Sequence, residues 1–355
     1  MGPGEQAVKI DVHHHFLPKA FFEQSDALLP SHMEALWNDG RVVYRERDTG
    51  HAVTPPLDPI LWHDANLQLR HMDAAGIDHA VLSSACYQDW MTIDAARIIN
   101  DGTAALVRAH PGRFSGMISV PPDGGEAMVS EIERACDLGL CAINITTTHR
   151  NRYPDHEDFR QLFETASEMD LPVYVHPSWR TPLSNMERWD MERAIGKPTD
   201  LSICIANMMF SGRFHDLPGL RMLFAHLGGT LPMTMRRMFH GQPGWLNVPD
   251  YDYPLLLKRL YVDTAPAMWW SPVEIESAAR ILGESQVLLG SDYPLSNDPA
   301  ELLKLAVANI AGTALSEEEK SRIFAGNAIE LFGLTHLREQ MAIDRGGGPH
   351  DHGCC

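Results

Sequence analysis

The chemistry-bearing residues of this sequence are histidines and one aspartate that close short apolar segments. Asp11-Val12-His13-His14-His15 ends one such segment, and His176 ends Val173-Tyr174-Val175-His176. His226 closes Leu223-Phe224-Ala225-His226, and Asp292 closes Leu288-Leu289-Gly290-Ser291-Asp292. On an extended chain His13 and His15 share one face, about 6–7 Å apart, while His14 takes the other. Two imidazoles on one face can converge on a single ion. Imidazole nitrogen with carboxylate oxygen suits Zn²⁺. Mn²⁺ or Fe²⁺ accept the same atoms, because affinity order alone does not set occupancy. The segment Ile143–Thr148 carries no lysine. No carboxylated lysine is therefore available there to bridge a second ion, and one divalent metal is expected.

Four segment ends serve one ion only if the fold brings them to one rim. Eight apolar or β-branched runs recur: Val8–His15, His79–Ala85, Phe114–Val120, Cys141–Thr147, Pro172–His176, Arg221–His226, Leu260–Thr264 and Val287–Asp292. Most are continuous rather than alternating, as strands buried on both faces should be. Amphipathic helix patterns lie between them: Leu61–Ala75, Ile93–Ala109, Glu126–Leu138, Glu157–Met169, Pro272–Leu282 and Ser316–Phe332. Ser316 and Glu319 form a capping box at the last of these. Eight alternations of strand and helix predict a (β/α)₈ TIM barrel, with an open doubly wound sheet as runner-up. In a closed barrel the strand ends face a common mouth.

Loop insertions are expected at that C-terminal face. One runs from about Leu17 to Pro59, and a second from about Ser178 to Thr199 with Trp179, Arg180, Arg188 and Trp189. Both positions suit lids or substrate walls. Residues 1–340 read as one domain with a cap at about 17–59. Residues 341–355 read as a flexible tail ending in Cys354 and Cys355.

The chain has 355 residues, 29 basic and 47 acidic, for a formal net charge of −18. Such a surface repels phosphate backbones, so nucleic-acid binding is not expected. Local arginines can still recognise a small anion, and by count 23 of the 29 basic residues are Arg. No apolar run approaches the roughly 20 residues of a membrane span. The six cysteines show no disulfide-framework spacing, which favours a reducing, cytoplasmic setting.

With these motifs in view, the sequence resembles the amidohydrolase superfamily. Within it, the chain looks most like the aminocarboxymuconate-semialdehyde decarboxylase family of metal-dependent decarboxylases. The resemblance runs from about Lys9 to Leu334. It rests on Ile10–His15, Val173–Pro177, Phe224–Pro232, Leu289–Pro294, the stretch Arg70–Asp73 through Val81–Ser83, and Gly326-Asn327-Ala328. It implies His13, His15, His176 and Asp292 as metal ligands, with His226 as the catalytic histidine beside them and Asp292 sharing in proton relay. It further implies that Arg237 reaches a neighbouring subunit's site and holds a substrate carboxylate, and hence a homodimer. The second carboxylate-binding arginine of the family falls in the loop after the first strand, where Arg41, Arg45 and Arg47 are candidates. His-x-His on the first strand leans to zinc, whereas relatives with Glu-x-His prefer manganese.

The expected activity is non-oxidative decarboxylation of a small hydroxybenzoate-like or muconate-like acid. The alternative is a hydrolase or hydratase acting on a lactone, amide or enol acid with the same metal-bound water. Trp179, Trp189, Trp269, Trp270 and Phe16 are candidates for an aromatic wall, of which Trp179 is the expected substrate contact.

Overall fold

The computed structural model describes residues 8–85, 90–186, 188–239 and 248–337. The tail and its two cysteines lie outside them, as does Cys86. Ten strands are present among the described residues: β1 Ile10–His15, β2 Met33–Asn38, β3 Arg41–Glu46, β4 His79–Ser83, β5 Phe114–Ser119, β6 Ala142–Thr146, β7 Val173–His176, β8 Met222–Phe224, β9 Leu260–Asp263 and β10 Val287–Leu288. Eight of them form one parallel sheet in the order β1-β4-β5-β6-β7-β8-β9-β10. Its two ends meet. Val12 N–H donates to Leu289 O, Asp292 N–H to His13 O and His15 N–H to Tyr293 O, each at 2.9 Å. The (β/α)₈ barrel expected from the run-and-helix rhythm is the fold observed.

Continuous apolar runs are what such strands require, since both faces are covered. Every residue of β1, β4, β5, β6 and β7 is buried. Ile10, Val12, Val81, Met117, Ala142, Tyr174, Leu223 and Leu288 pack together with the C-terminal segment that includes Ala328, Phe332 and Leu334. The capping box at Ser316 and Glu319 forms. The helix it starts is not continuous, however: it passes through a widened turn at Arg322–Gly326 before Asn327–Phe332. The pattern Leu61–Ala75 is likewise split. Asp64 ends Pro59–His63, and its side chain caps Ala65–Ala75 by accepting from Leu67 N–H.

The first insertion, expected as a loop, contains the antiparallel hairpin β2–β3. Its turn residues Asp39 and Gly40 both have positive φ, 47° and 76°, the conformation that an Asp-Gly two-residue hairpin favours. The insertion is anchored by Phe21, Phe22, Val42, Tyr44 and Trp62, which share a buried cluster with Met91, Ala95 and Ile99. In the second insertion Glu192–Gly196 forms a wide turn that runs directly into the helix Lys197–Phe210. Arg180 of this segment reaches Glu46 of β3 at 3.6 Å, tying the two insertions together.

Candidate metal centre

His13 and His15 lie on β1 and His176 ends β7, as the alternation of an extended chain places them. His226 and Asp292 differ from the sequence expectation. They lie beyond the last paired residues of β8 and β10, with φ of 56° and 72°. Left-handed backbone at a non-glycine residue costs of order 1–3 kcal/mol and is typically retained where it aims a functional side chain. Here it turns both side chains onto the rim. His13, His176, His226 and Asp292 each offer a ligand atom, and these atoms lie within 4.8 Å of one another. His15 joins through Asp292, whose Oδ1 is 3.1 Å from both His15 Nε2 and His13 Nε2. That compact set of four includes His226 and leaves out His15, whereas the sequence-based ligand set did the reverse.

The outer nitrogens of His13, His15 and His176 are occupied. Nδ1 of His13 meets Asp263 Oδ2 at 2.9 Å, Nδ1 of His15 meets Ser83 Oγ at 2.9 Å, and Nδ1 of His176 donates to Pro177 O at 2.8 Å. Such bonds fix ring orientation and leave Nε2 free for an ion. Nε2 of His176 and both ring nitrogens of His226 are buried with no hydrogen-bond partner, and Nε2 of His13 faces only Asp292 Oδ1. Buried, orphaned acceptors beside a carboxylate are what a divalent cation would satisfy. The residues present therefore fit a metal.

Electrostatics follow from burial and from this carboxylate pair. Burial opposes charge on His13, yet Asp263 and Asp292 raise it to about 10 in the metal-free cluster. Burial pushes His176 well below its ordinary value, and His15 in the same direction. Burial would raise Asp292, but hydrogen bonds from His13 and His15 and the charge of His13 hold it well below the usual carboxylate range. Burial takes His226 down to about 4, with His13 and Lys197 adding to the effect. His226 is thus a neutral imidazole facing the cluster.

Three supporting residues were not singled out in the sequence. Asp263, at the end of β9, accepts from His226 N–H at 3.1 Å and Ala265 N–H at 2.9 Å besides holding His13. The run Leu260–Thr264 contained it, but nothing local marks a strand-end aspartate as an orienting group. Asp11 accepts from His13 N–H, Ser291 N–H and Ser291 Oγ and meets His14 Nδ1, pinning β1 to the chain beyond β10. Gly290 passes between them. A Cβ there would lie 2.9 Å from the Cβ atoms of both His13 and Asp263.

The other candidates distribute as follows. Trp269 is half-exposed and stands edge-on to His226, with centroids 6.3 Å apart. Trp270 instead donates to Ala265 O at 2.7 Å and packs against the core. Phe16 is a core residue, Trp189 is 77% exposed, and Trp179 lines a cavity of about 500 Å³. That cavity is walled by Met33 and Val53 of the first insertion and by Trp90, Pro121, Thr148 and Arg180 from loops after β4 to β7. None of the five cluster residues lines it. Arg45 and Arg47 both pair with Glu34, at 2.5 and 3.1 Å. Arg41 is exposed beside the hairpin turn, and neither it nor Arg47 lines the cavity. Arg237 is exposed on the helix Leu231–Phe239. His71 meets the Tyr293 hydroxyl at 3.0 Å, and Tyr293 stacks on His14.

Known proteins resemble the chain in sequence and, among solved structures, in fold. The chain is 26% identical over 353 residues to a 2-amino-3-carboxymuconate-6-semialdehyde decarboxylase of Dictyostelium discoideum, covering 93% of this chain and 92% of that one. It is 27% identical over 340 residues to a 6-methylsalicylic acid decarboxylase of Penicillium expansum, covering 91% and 96%. Among solved structures it superposes on a dihydroxybenzoic acid decarboxylase of Polaromonas sp. JS666, which holds manganese and the inhibitor 2-nitroresorcinol. The TM-score is 0.71 at 23% identity, covering 93% of this chain and 98% of that one. The amidohydrolase family model matches residues 10–334, and the chain belongs to that family.

Proposed function

We propose that this protein is a metal-dependent, non-oxidative decarboxylase, a carbon–carbon lyase acting on a small aromatic or muconate-like carboxylic acid. The observation that carries the reading is the buried cluster of four histidines and Asp292 at the barrel rim, in a chain whose named relatives are decarboxylases. Those relatives do not favour the hydrolase or hydratase reading.

His13, His15, His176 and Asp292 would hold one divalent ion. When bound, that ion supplies positive charge that grips the substrate carboxylate and draws electron density from the reacting carbon. His226 is kept out of the ligand set and serves as the proton carrier. Its neutral ring has an N–H to give and a lone pair to receive a proton, and neither nitrogen has another partner. Asp292, touching His13 and His15, is the second group able to relay a proton. Trp269 walls the site beside His226, and Trp179 is assigned to the substrate. Arg237, exposed and unpaired among the described residues, is assigned to the site of a second subunit, so the protein acts as a homodimer. Arg41 and Arg47 remain assigned to the substrate carboxylate, with Arg47 exchanging Glu34 for it.

The His-x-His pair on β1 supports zinc, with manganese as the alternative because the Polaromonas decarboxylase holds it. Residues 1–340 are taken as one domain capped by residues 17–59. Free thiols at Cys136, Cys141 and Cys204 support a reducing, cytoplasmic compartment. No helix of the described residues is long and apolar enough to cross a membrane.

Elemental analysis of protein purified without added metal, followed by CO₂ release from hydroxybenzoates and muconate-like acids, tests the proposal. Ring opening or water uptake without CO₂ would overturn it.

A further inference from the structure

Asp200 lies in the first turn of the helix Lys197–Phe210 and is fully buried. It belongs neither to the histidine–aspartate cluster nor to the lining of the cavity. No cation lies within ion-pair distance of it among the described residues. Two hydroxyls take its oxygens instead: Thr147 Oγ1 donates to Oδ2 at 2.5 Å, and Tyr153 OH donates to Oδ1 at 2.6 Å. Burial pushes the carboxyl up, and these two bonds draw it part of the way back toward the charged form. Taking a carboxylate out of water without a counter-ion is costly, and its retention here points to a use.

The polarity of the hydrogen bonds gives the use. An ionised carboxylate only accepts, so it draws the Thr147 hydroxyl proton to itself and leaves Oγ1 as an acceptor. That acceptor takes the N–H of Ser178 at 3.0 Å. Thr147 N–H in turn holds His176 O at 2.9 Å, so one threonine grips the turn His176-Pro177-Ser178 at both ends. Ser178 Oγ closes the other side, accepting from Thr148 N–H and donating to Thr148 O, each at 2.9 Å. Between the two grips lies Pro177 O, the acceptor of His176 Nδ1–H at 2.8 Å. That bond sets the tautomer that presents the Nε2 lone pair of His176 to the cluster. Without Asp200 the Thr147 proton is free to swing to Ser178 Oγ, 3.2 Å away, and the grip on Ser178 N–H loosens.

We propose that Asp200 is a positioning residue of the metal centre, which acts through Thr147 to hold the Pro177 carbonyl that makes His176 a ligand. The proposal rests on the metal-centre reading and gives Asp200 no contact with ion or substrate. Tyr153 supplies the internal control: its hydroxyl meets the other oxygen of Asp200 and its ring packs against the core, so it shares the burial of Asp200 without the link to His176.

Competitive titration of Zn²⁺ and Mn²⁺ against a chromophoric chelator, with thermal melts of the metal-free proteins, tests it. Thr147→Val removes Oγ1 at nearly constant shape and lowers metal affinity about tenfold, the lower end of what a supporting residue is worth. Thr147→Ser keeps the hydroxyl and restores the affinity. Asp200→Leu brings a similar loss. Joining it to Thr147→Val recovers melting temperature relative to Asp200→Leu, because both partners of that bond are then apolar, and recovers no metal affinity. Tyr153→Phe lowers the melting temperature and keeps wild-type affinity. Wild-type affinity in Thr147→Val or Asp200→Leu overturns the proposal, as does an equal loss in Tyr153→Phe or a double variant that regains affinity along with stability. If circular dichroism shows the Leu variant unfolded, Thr147→Val and Thr147→Ser carry the test. A wild type that binds neither ion overturns the metal centre and the proposal with it. A protein that shows these affinity differences yet releases no CO₂ from any acid overturns the decarboxylase reading and leaves Asp200 its role.

Discussion

Replacing Asp263 by Asn probes how the metal centre is built. Asp263 Oδ1 accepts from the backbone N–H groups of His226 and Ala265, while Oδ2 faces His13 Nδ1. An asparagine in the same rotamer keeps both backbone bonds through its carbonyl oxygen, so the loops stay anchored. Its amide NH₂ then faces His13 Nδ1 and can only donate. Nδ1 must become an acceptor, which moves the ring proton to Nε2, the atom aimed at the cluster. His13 is lost as a ligand without being moved. Disturbing an orienting carboxylate typically weakens metal binding 10- to 100-fold, or about 1.4–2.7 kcal/mol. Asp263→Ala should differ in kind: it strands two buried N–H groups at roughly 1–3 kcal/mol each and should lower the melting temperature as well. The assay is competitive titration of Zn²⁺ and Mn²⁺ against a chromophoric chelator, with thermal melts of the metal-free proteins. Wild-type affinity in Asp263→Asn would refute the reasoning. So would a melting temperature that falls as far as in Asp263→Ala.

The other expectations are simpler. His226→Asn should cut CO₂ release about 10²–10⁴-fold, the usual worth of a positioned acid or base, while retaining its metal by elemental analysis. Removing metal with a chelator should lower the melting temperature, because saturation at about 100 times Kd stabilises by about 2.7 kcal/mol; identical melts with and without metal would count against the cluster as a site. Gly290→Ala should destabilise by about 1–3 kcal/mol through overpacking, since its Cβ would press on both His13 and Asp263; denaturant titration measures this. His79 is buried between Gly112 O at 3.2 Å and Ser115 Oγ at 2.9 Å, and burial pushes it down to about 4. The unfolded chain takes up that proton near 6.5, so stability from this group is present above pH 6.5 and is lost as pH falls toward 4. The loss amounts to about 3 kcal/mol, and His79→Gln should flatten the stability–pH profile over that window.

Much of this protein was legible in its sequence because parallel strands buried on both faces are written as continuous apolar runs. A polar residue ending such a run points at the barrel mouth, which is how His13, His15 and His176 could be read directly. His226 and Asp292 could be named but not placed. Their left-handed backbone beyond β8 and β10 depends on contacts such as Asp263 with His226 N–H, which no local pattern contains. The Asp-Gly turn of the hairpin was a local signal, hidden among the prolines and charges of a long insertion. What holds the centre together is long-range: Asp263 lies 250 residues from His13, and Ser291 lies 280 from Asp11. Likewise only the fold shows Arg45 and Arg47 drawn to Glu34, and Lys197 set over the ring of Trp179. The sequence alone determined which side chains end its apolar runs and which of them share a strand face, because strand periodicity is local. Tertiary structure decided which of them are oriented, paired or free, because hydrogen bonds and burial depend on neighbours that the chain brings together only when the barrel closes.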